Sequence, residues 1–273
     1  MVANKDINFE VNKEKCIKCG KCVKDCPVHI IEMDDYPQIV QDGMKCLKCE
    51  HCFAVCPTGA ISILGDTPLE DENTKFDVDY EQLKKMIFSR RAVRNYKDEN
   101  IDKVVIDDLC KSALHAPTAK NDLNTLLTVI NDKDKMQEFK TKVYETVGKL
   151  NITDPSQGFL KMIVDAWNKD GADKLFAGAP HMIVASAPKG SYNLLSDPVI
   201  TLSYFEMLAV AKGFGTLWDG VMLMVLEQIA PELKDYLKIP KDHQVGYVMM
   251  FGKPAVKYQR PARRNPDSLK YID

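Results

Sequence analysis

Apolar residues recur at intervals of three and four positions in several segments after residue 79, and this spacing predicts amphipathic helices. The segments YEQLKKMIFSR and IDKVVIDDLCKSALHA would each place their apolar side chains on one helical face. The predicted faces consist of Leu83, Met86 and Ile87 in the first and of Ile101, Val104, Val105 and Leu109 in the second. Two further helices are predicted at Val199–Lys212 and Leu223–Ile229. The second part of the chain is therefore expected to be rich in helix.

Short runs of β-branched and apolar residues predict strands between these helices. They lie at Leu126–Ile130, His181–Ala185 and Val245–Phe251. Because the strands are few and widely separated, the pattern favours an α+β domain over residues 79–273.

The first 65 residues contain an internal repeat instead of long periodic segments. CIKCGKCVKDCPVHII and CLKCEHCFAVCPTGAI align at every cysteine and at both prolines with an offset of 30 residues. A short repeat with little apolar core needs cross-links, which a metal centre can supply. We predict a small domain over residues 1–65, followed by a polar, acidic linker over residues 66–78.

Composition narrows the classes of function. The chain has 273 residues, which suits about two domains, and its net charge of -2 gives no reason to expect nucleic acid or an anionic membrane as a partner. No apolar run reaches the length of about 18 residues that a membrane span needs. The first residues show no apolar secretion signal, so we expect a cytoplasmic protein.

Eight of the nine cysteines lie within the first 56 residues, a clustering that indicates metal ligation. Each run reads C-x2-C-x2-C-x3-C-P, the spacing of bacterial two-cluster ferredoxins, in which the fourth cysteine of one run ligates the other 4Fe-4S cluster. That rule assigns four cysteines to each cluster. The sets are Cys16, Cys19, Cys22 and Cys56 for the first cluster, and Cys46, Cys49, Cys52 and Cys26 for the second.

Two other interpretations of the cysteines stay open at this point. Zinc also binds four thiolates, but it usually takes two C-x2-C pairs, whereas each run here holds a third cysteine at the same short spacing. The clusters could also be structural only, although two neighbouring clusters form an electron path more naturally than a cross-link. The lysines between the ligands could raise the cluster potential, dock an acidic donor or simply form a solvated face.

Arg90, Arg91 and Arg94 form a compact basic group at the end of the first predicted helix and just beyond it. Guanidinium groups bind phosphate oxygens in a bidentate manner, so this group suits a ligand that carries phosphate. A helix C-terminus favours cations in any case, which is the structural alternative.

The segment RRAVRNY resembles the RRSxRxF element of the FMN-dependent nitroreductase family, in the form fused to an N-terminal ferredoxin-like domain. The resemblance covers residues from about 80 to 273 for the nitroreductase part and residues 1–65 for the ferredoxin part. It implies that Arg90, Arg91 and Arg94 contact the FMN phosphate. Ala92 replaces the family's serine, so one hydroxyl contact is expected to be missing.

HAPTAKN, at residues 115–121, is similar to the family's APS/TxxN loop and implies flavin contacts from Pro117, Thr118 and Asn121. Leu123 and Asn124 stand where the family usually has Gln-Pro, so the details of flavin and substrate contact are expected to differ.

AKGFGTLWDG, at residues 211–220, is similar to the family's GLGTxWxG stretch. The resemblance implies that the Gly220 N–H donates to flavin N5 and that residues 215–219 line the ring; a plain glycine-rich turn is the alternative. Near the C-terminus, FGKPAVKYQRPARRNP resembles the family's G-x-P followed by R-x-P. That match implies phosphate contacts from Arg264 and, as a second candidate, Arg263; a basic tail is the alternative.

The resemblance implies an α+β fold with a central, antiparallel-rich sheet flanked by helices, and a homodimer with FMN at the subunit interface. Three functions are compatible with these features. The first is an FMN oxidoreductase that passes electrons from two 4Fe-4S clusters to FMN and then to a nitroaromatic, a quinone or a similar small acceptor. The second uses the flavin differently, on a halogenated or unsaturated metabolite. The third is a non-enzymatic electron carrier or redox sensor. Either a reduced ferredoxin-like protein or NAD(P)H could be the donor.

Three residues outside these motifs are expected to have structural roles. Cys110 is predicted to be a buried thiol. Trp167 and Phe176 fall in a segment that often forms part of the substrate lid in this family, but we expect core or interface positions for them.

Overall fold

A computed structural model describes residues 7–40, 44–69, 77–151, 157–264 and 266–272. The chain divides into two compact units. The N-terminal unit comprises Met1–Asp77 together with Lys120–Asp122, and the C-terminal unit comprises Val78–Ala119 and Leu123–Asp273. The division falls beside the predicted domain boundary, while residues 70–76 of the predicted linker lie outside the described residues.

The N-terminal unit consists of two short helices and two small antiparallel sheets. The elements are β1 (Glu10–Val11), α1 (Lys21–Asp25), β2 (Ile31–Met33), β3 (Pro37–Ile39), α2 (His51–Ala54) and β4 (Ile61–Ser62). Strand β1 pairs with β4, and β2 pairs with β3. The core combines isoleucines such as Ile31 and Ile61 with the buried Cys22, Cys26 and Cys52. Because this core is so small, the cysteines make up a large part of it.

The C-terminal unit contains a four-stranded sheet in the order β5-β6-β8-β7, with antiparallel neighbours throughout. The strands are β5 (Leu126–Ile130), β6 (His181–Pro188), β7 (Gly215–Trp218) and β8 (His243–Gly252). Three of them confirm the predicted strands. The fourth, β7, was not predicted because four residues carry too little alternation to be recognised.

Helices cover both faces of this sheet. They are α3 (Tyr80–Ser89), α4 (Lys103–Ala113), α5 (Lys133–Gly148), α6 (Gly158–Asp170), α7 (Ser196–Ala211), α8 (Gly220–Met224) and α9 (Leu233–Tyr236), with a π-helical turn at Val225–Ile229. Successive strand residues point to opposite faces, so Met182 and Val184 join one core and Ile183 and Ala185 join the other. The α+β class and the central antiparallel sheet are therefore confirmed. In the part of the chain that the structure describes, no helix is long and apolar enough to cross a membrane.

The apolar face predicted for α4 is partly wrong. Val104 is 75% exposed, whereas Ile106, Leu109 and Ala113 are buried. The buried stripe follows a spacing of three and four that begins at Ile106 rather than at Val104, because α4 packs against α7 on that side. The predicted face of α3 is also different from expectation, because none of its residues is buried and Ile87 is 48% exposed.

His181, at the start of β6, provides a test of the core packing by pH. Its side chain is 0% exposed, and its Nε2 accepts a hydrogen bond from the Ile101 N–H at 3.0 Å. Burial lowers the pKa of His181 to about 4. The unfolded chain, with a histidine pKa of about 6.5, binds a proton that the folded chain does not bind. The contribution of uncharged His181 to the free energy of unfolding is therefore fully present above a pH of about 6.5. It is lost as the pH falls toward the pKa of the folded state, by about 2 kcal/mol between pH 7 and pH 5.

His181→Gln is expected to remove most of this acid sensitivity, because an amide oxygen can accept the Ile101 N–H without titrating. Urea unfolding at pH 7 and pH 5, followed by fluorescence of the chain's two tryptophans, measures it, because both Trp167 and Trp218 lie in the C-terminal unit. The exposed His115→Gln serves as the matched control and should keep the wild-type slope. An unchanged pH dependence in His181→Gln would contradict this account.

Candidate functional site

Two pockets in the N-terminal unit gather the eight cysteines of the repeat into two sets of four. The first pocket is lined by Cys16, Cys19, Cys22 and Cys56. The second is lined by Cys46, Cys49, Cys52 and Cys26. Each pocket thus takes three cysteines from one run and the fourth from the other run. These are the two sets that the ferredoxin rule predicts.

The backbone of the two runs explains how three thiols of each run reach one pocket. Lys18 and Lys48 both adopt left-handed φ angles, of 55° and 53°. Gly20 and Glu50, which cap α1 and α2, are left-handed as well, with φ of 69° and 56°. The chain therefore turns twice between the first and third cysteine of each run. The repeat in sequence is a repeat in backbone conformation.

The thiols differ in their surroundings. Burial raises the pKa of Cys22 and of Cys46, and it raises the pKa of Cys52 to about 12. Burial acts in the same direction on Cys56, but hydrogen bonds from the Ala60 N–H at 3.2 Å and from Thr58 outweigh it and lower the pKa of that thiol. Iron binds thiolates, so the positive charge of a bound cluster would offset the cost of burying them.

The donor set of each pocket fits a 4Fe-4S cluster, which is held by four cysteine thiolates. Backbone N–H groups already point at two of the sulfurs, from Ala60 to Cys56 and from Lys48 to Cys46 at 3.3 Å. Such bonds to cluster sulfurs tune the reduction potential. Among the described residues, no group of three or more His, Cys, Asp or Glu side chains forms a site for a single metal ion.

In the C-terminal unit, the arginine segment runs beside β7. Helix α3 ends at Ser89, and Arg90 caps it. The Val93 N–H donates to the Thr216 carbonyl at 2.8 Å, and Ala92 forms a bridge with the same residue. The tight packing of Gly215 against Val93 allows no side chain at Gly215, because a Cβ there would lie 2.5 Å from a Val93 methyl. The predicted phosphate-binding segment is thus fixed to the strand that leads to Gly220.

The three arginines have different partners. Arg90 pairs with the buried Glu206 at 3.1 Å, and the Thr216 hydroxyl donates to the same carboxylate oxygen at 2.8 Å. Arg91 donates to three backbone carbonyls, including that of Arg260 at 3.1 Å. Arg94 is exposed, and its described hydrogen bond, to the Ala92 carbonyl, is long at 3.5 Å. Arg94 therefore has the most donors to offer a phosphate.

Asp219 and Gly220 follow β7 directly and start helix α8. Asp219 is 5% exposed and accepts the Met222 N–H at 2.8 Å, so it caps the helix. Burial raises the pKa of Asp219 to about 6, although the hydrogen bonds that its carboxylate accepts from backbone N–H groups lower the pKa. The first N–H groups of a helix have no partner within the helix, and Gly220 is the first residue of α8. A contact of its N–H with flavin stays a prediction. A Cβ on Gly220 would lie 3.1 Å from the Tyr247 hydroxyl oxygen.

The fit to FMN rests on these features of the chain. A flat ring needs close approach of the backbone, which Gly220 allows, and a phosphate needs positive donors, which the arginine segment supplies. One further buried oxygen, Oδ2 of Asp219, has no hydrogen-bond partner among the described residues. The residues present therefore fit the cofactor that the resemblance implies.

The loop at residues 117–123 is strained. Thr118 Oγ1 accepts the Leu123 N–H at 3.0 Å, and Pro117 is exposed. Lys120 and Leu123 adopt left-handed φ angles of 54° and 51°, which are unfavourable for residues with a Cβ, whereas Asn121, at 53°, is a residue type that tolerates this region. Asn121, which groups with the N-terminal unit, donates to the carbonyl oxygen of Lys48 at 2.9 Å. Its contact with a flavin stays a prediction.

Arg263 and Arg264 are exposed in the C-terminal segment, and no described contact joins either of them to the arginines after α3. Phe176 is fully buried, as expected for a core residue. Trp167 packs on the edge of the same core and stacks on Tyr144 at 4.2 Å. Cys110 is half-buried in the other core, where burial raises its pKa to about 11.

Glu206 was missed by the sequence analysis, although a signal for it exists. It is the single acidic residue in the apolar stretch VITLSYFEMLAVA of α7, and a lone charge in such a stretch usually has a buried partner. Asp173 was missed as well, because nothing in its polar neighbourhood distinguishes a buried acid from an exposed one.

Comparison with known proteins agrees with this geometry. The sequence model of the nitroreductase family matches residues 87–253, more than half of the chain, and a model described as a 4Fe-4S dicluster domain matches residues 15–60. The chain belongs to the nitroreductase family and carries an N-terminal 4Fe-4S domain.

Individual relatives are distant. A curated protein from Archaeoglobus fulgidus, named as an NADH dehydrogenase/NAD(P)H nitroreductase, is 25% identical over 193 residues, which are 69% of this chain and 97% of the relative. A nitroreductase with bound FMN from Bacteroides fragilis has a similar structure, with a TM-score of 0.59 and 15% identity over 70% of this chain and 99% of that chain. A nitroreductase with bound FMN from Desulfitobacterium hafniense has a TM-score of 0.57 and 21% identity, and the match covers 70% of this chain and 98% of that chain. At these identities the two structures show the fold.

Proposed function

We propose that this protein is an FMN-dependent oxidoreductase in which two 4Fe-4S clusters deliver electrons to FMN, for reduction of a small organic acceptor such as a nitroaromatic or a quinone. The observation that carries the proposal is the joining of two four-cysteine pockets to a nitroreductase-family domain in one chain. The family supports an oxidoreductase, and the FMN in two similar structures supports the choice of cofactor.

The N-terminal unit would hold one cluster in each pocket. Four thiols per pocket satisfy the four ligation positions of one cubane, so neither pocket needs a ligand from outside the repeat. The exchange of the fourth cysteine ties the two runs together, which holds the two clusters close to each other. Neighbouring clusters pass single electrons, so this arrangement supports a path for electrons over a purely structural role.

The C-terminal unit would hold FMN through the arginine segment and the start of α8. When bound, FMN supplies conversion between one-electron transfer and two-electron reduction. Arg94 would bind the phosphate, while Arg90 is fixed by Glu206 and keeps the segment against β7. The Gly220 N–H would donate to the ring, and Asp219 keeps that N–H in position by capping the helix. No side-chain nucleophile is required for electron transfer.

The donor would be a reduced ferredoxin-like protein or NAD(P)H. The cluster domain favours a protein donor, because a nicotinamide could reduce a flavin without clusters. The name of the Archaeoglobus relative supports NAD(P)H instead.

Two other functions remain as candidates. Leu123 and Asn124, which stand where the family usually has Gln-Pro, favour the second candidate, a different flavin reaction on a halogenated or unsaturated metabolite. An electron carrier without an acceptor of its own is the third.

We further infer a homodimer that works in the cytoplasm. Helix α3 supports the dimer, because it buries none of its residues while Ile87 and Phe88 are 48% and 55% exposed. A helix with an exposed apolar face is expected to pack against a partner. Iron–sulfur ligation by eight cysteines supports a reducing compartment.

The substitution Gly220→Val tests the flavin site. Its side chain would occupy the space where the backbone approaches the ring and would press on Tyr247, so FMN affinity is expected to fall by at least about tenfold. Quenching of FMN fluorescence on titration measures the affinity, and iron content should stay at the wild-type value. Gly190→Val is the control, because no atom lies within 4 Å of a Cβ at that exposed glycine.

A second variant keeps the test decisive if Gly220→Val folds poorly. Arg94→Gln is expected to weaken FMN while leaving the affinity for riboflavin, which lacks the phosphate, unchanged. Equal loss for both ligands would contradict the assigned role of Arg94. Protein loaded with clusters that binds no FMN would overturn the enzymatic proposal and favour an electron carrier.

A further inference from the structure

The two halves of the cysteine repeat share one backbone conformation but differ in charge. Between residues 13 and 24 the chain carries five lysines and one glutamate, while the equivalent stretch, residues 43–54, carries two lysines and one glutamate. Lys21 and Lys24 of α1 correspond to His51 and Ala54 of α2. Because the backbone is the same, cluster binding does not explain the extra lysines of the first half.

Three of the five lysines of the first half are available at the surface. Lys18 is not one of them, because it is paired with Asp35 at 3.4 Å and its Nζ lies 4.5 Å from the centre of the Tyr36 ring. Lys15, Lys21 and Lys24 are exposed, and the ion pairs of the described residues do not include them. Lys21 and Lys24 are three positions apart in α1, so they project from the same side of the helix.

The first pocket is also more exposed than the second at two of its equivalent positions. Of the eight cysteines in the two runs, all of which the structure describes, Cys19 alone is exposed, whereas its counterpart Cys49 is half-buried. Ile17, beside it in the first pocket, is 64% exposed, and its counterpart Leu47 is half-buried. An exposed apolar residue within a charged rim is the usual arrangement of a protein interface.

We propose that an acidic electron-transfer protein docks on the lysine face, defined as Lys15, Ile17, Cys19, Lys21 and Lys24, and delivers electrons to the cluster of the first pocket. This inference rests on the proposed presence of that cluster and names the donor class of the proposed function. Each transfer oxidises the donor by one electron and reduces the cluster by one electron, so no bond is made or broken. A small, transient interface of this kind is typical of electron-transfer pairs.

The double variant Lys21→Glu/Lys24→Glu tests the docking surface. The probe is a reduced bacterial two-cluster ferredoxin of low pI, mixed anaerobically with the cluster-loaded full chain in a stopped-flow instrument. The second-order rate constant at low salt is expected to fall by at least about tenfold, and its decrease with rising salt should disappear. Lys142→Glu/Lys149→Glu makes the same change in net charge at exposed lysines of the C-terminal unit and should leave the rate near wild type.

Reduced methyl viologen distinguishes docking from a change in cluster potential. This small cation needs no lysine face, so its rate with Lys21→Glu/Lys24→Glu should not fall. Equal slowing by both double variants, or slowing with methyl viologen as well, would overturn the proposal. Wild-type protein that NADH or methyl viologen reduces but ferredoxin does not would overturn it too, while leaving the proposed enzyme intact. Conversely, clusters reduced through the lysine face without reduction of FMN would support the docking surface and contradict the proposed function.

Discussion

The double variant Cys19→Ala/Cys56→Ala is expected to lose one cluster and keep the other intact. The two residues lie 37 positions apart in the sequence but line the same pocket, so removing both leaves the second pocket with all four thiols. Iron should fall from about eight to about four atoms per chain, and one reduced 4Fe-4S signal should persist in electron paramagnetic resonance.

Cys49→Ala/Cys56→Ala provides the contrast. Both cysteines belong to the second run of the sequence, but they lie in different pockets, so neither cluster is expected to keep four thiolate ligands. If each run built its own cluster, the two results would be exchanged. Cys110→Ala, which removes the cysteine of the C-terminal unit, should leave iron content and both signals at the wild-type level.

Asp173→Ala is expected to destabilise the C-terminal unit by about 3–5 kcal/mol. Asp173 lies 3.0 Å from the Nζ of Lys140, with the two side chains only 12% and 8% exposed. It also accepts the Tyr144 hydroxyl and the N–H groups of Phe176 and Gly178. The substitution would leave the buried Lys140 ammonium group and two buried donors, the Tyr144 hydroxyl and the Phe176 N–H, without their acceptor, and such groups are costly to desolvate.

The ion pair between Lys135 and Glu138 gives a matched control. Its N–O distance of 2.8 Å is similarly short, but the two side chains are 67% and 54% exposed. Glu138→Ala should cost less than about 1 kcal/mol. In the double variant Lys140→Met/Asp173→Ala the buried charge is gone, so stability should recover part of the loss. Urea unfolding followed by tryptophan fluorescence measures all four proteins. Equal effects of Asp173→Ala and Glu138→Ala would show that burial does not strengthen the Lys140 pair.

The sequence was most informative where the structure depends on the spacing of residues that are close together in the chain. The cysteine runs predicted both sets of four that the structure brings together, because ligation restricts the spacing tightly. Long apolar strands such as His181–Ala185 were also recognised. The orientation of α4 could not be predicted reliably, since Val104 and Ile106 are equally apolar and only packing against α7 decides between them.

Long-range polar contacts were the least predictable part of the site. Glu206 contacts Arg90 across 116 positions of sequence, and Lys140 meets Asp173 only after helix α6 has returned the chain. Each of these residues is compatible with an exposed position when its neighbours alone are considered. The arginine segment could therefore be predicted as a basic group, but the division of roles between Arg90 and Arg94 needed the structure.

The central claim is that electrons reach FMN through the clusters, and single-turnover reduction by ferredoxin tests it most directly. Oxidised protein loaded with clusters and FMN would be mixed anaerobically with excess reduced ferredoxin, and cluster and flavin absorbance would be followed together. We predict that the clusters are bleached before the flavin and that Cys19→Ala/Cys56→Ala, with FMN still bound, shows no fast reduction of the flavin. Flavin reduction at the wild-type rate in that variant would contradict the account.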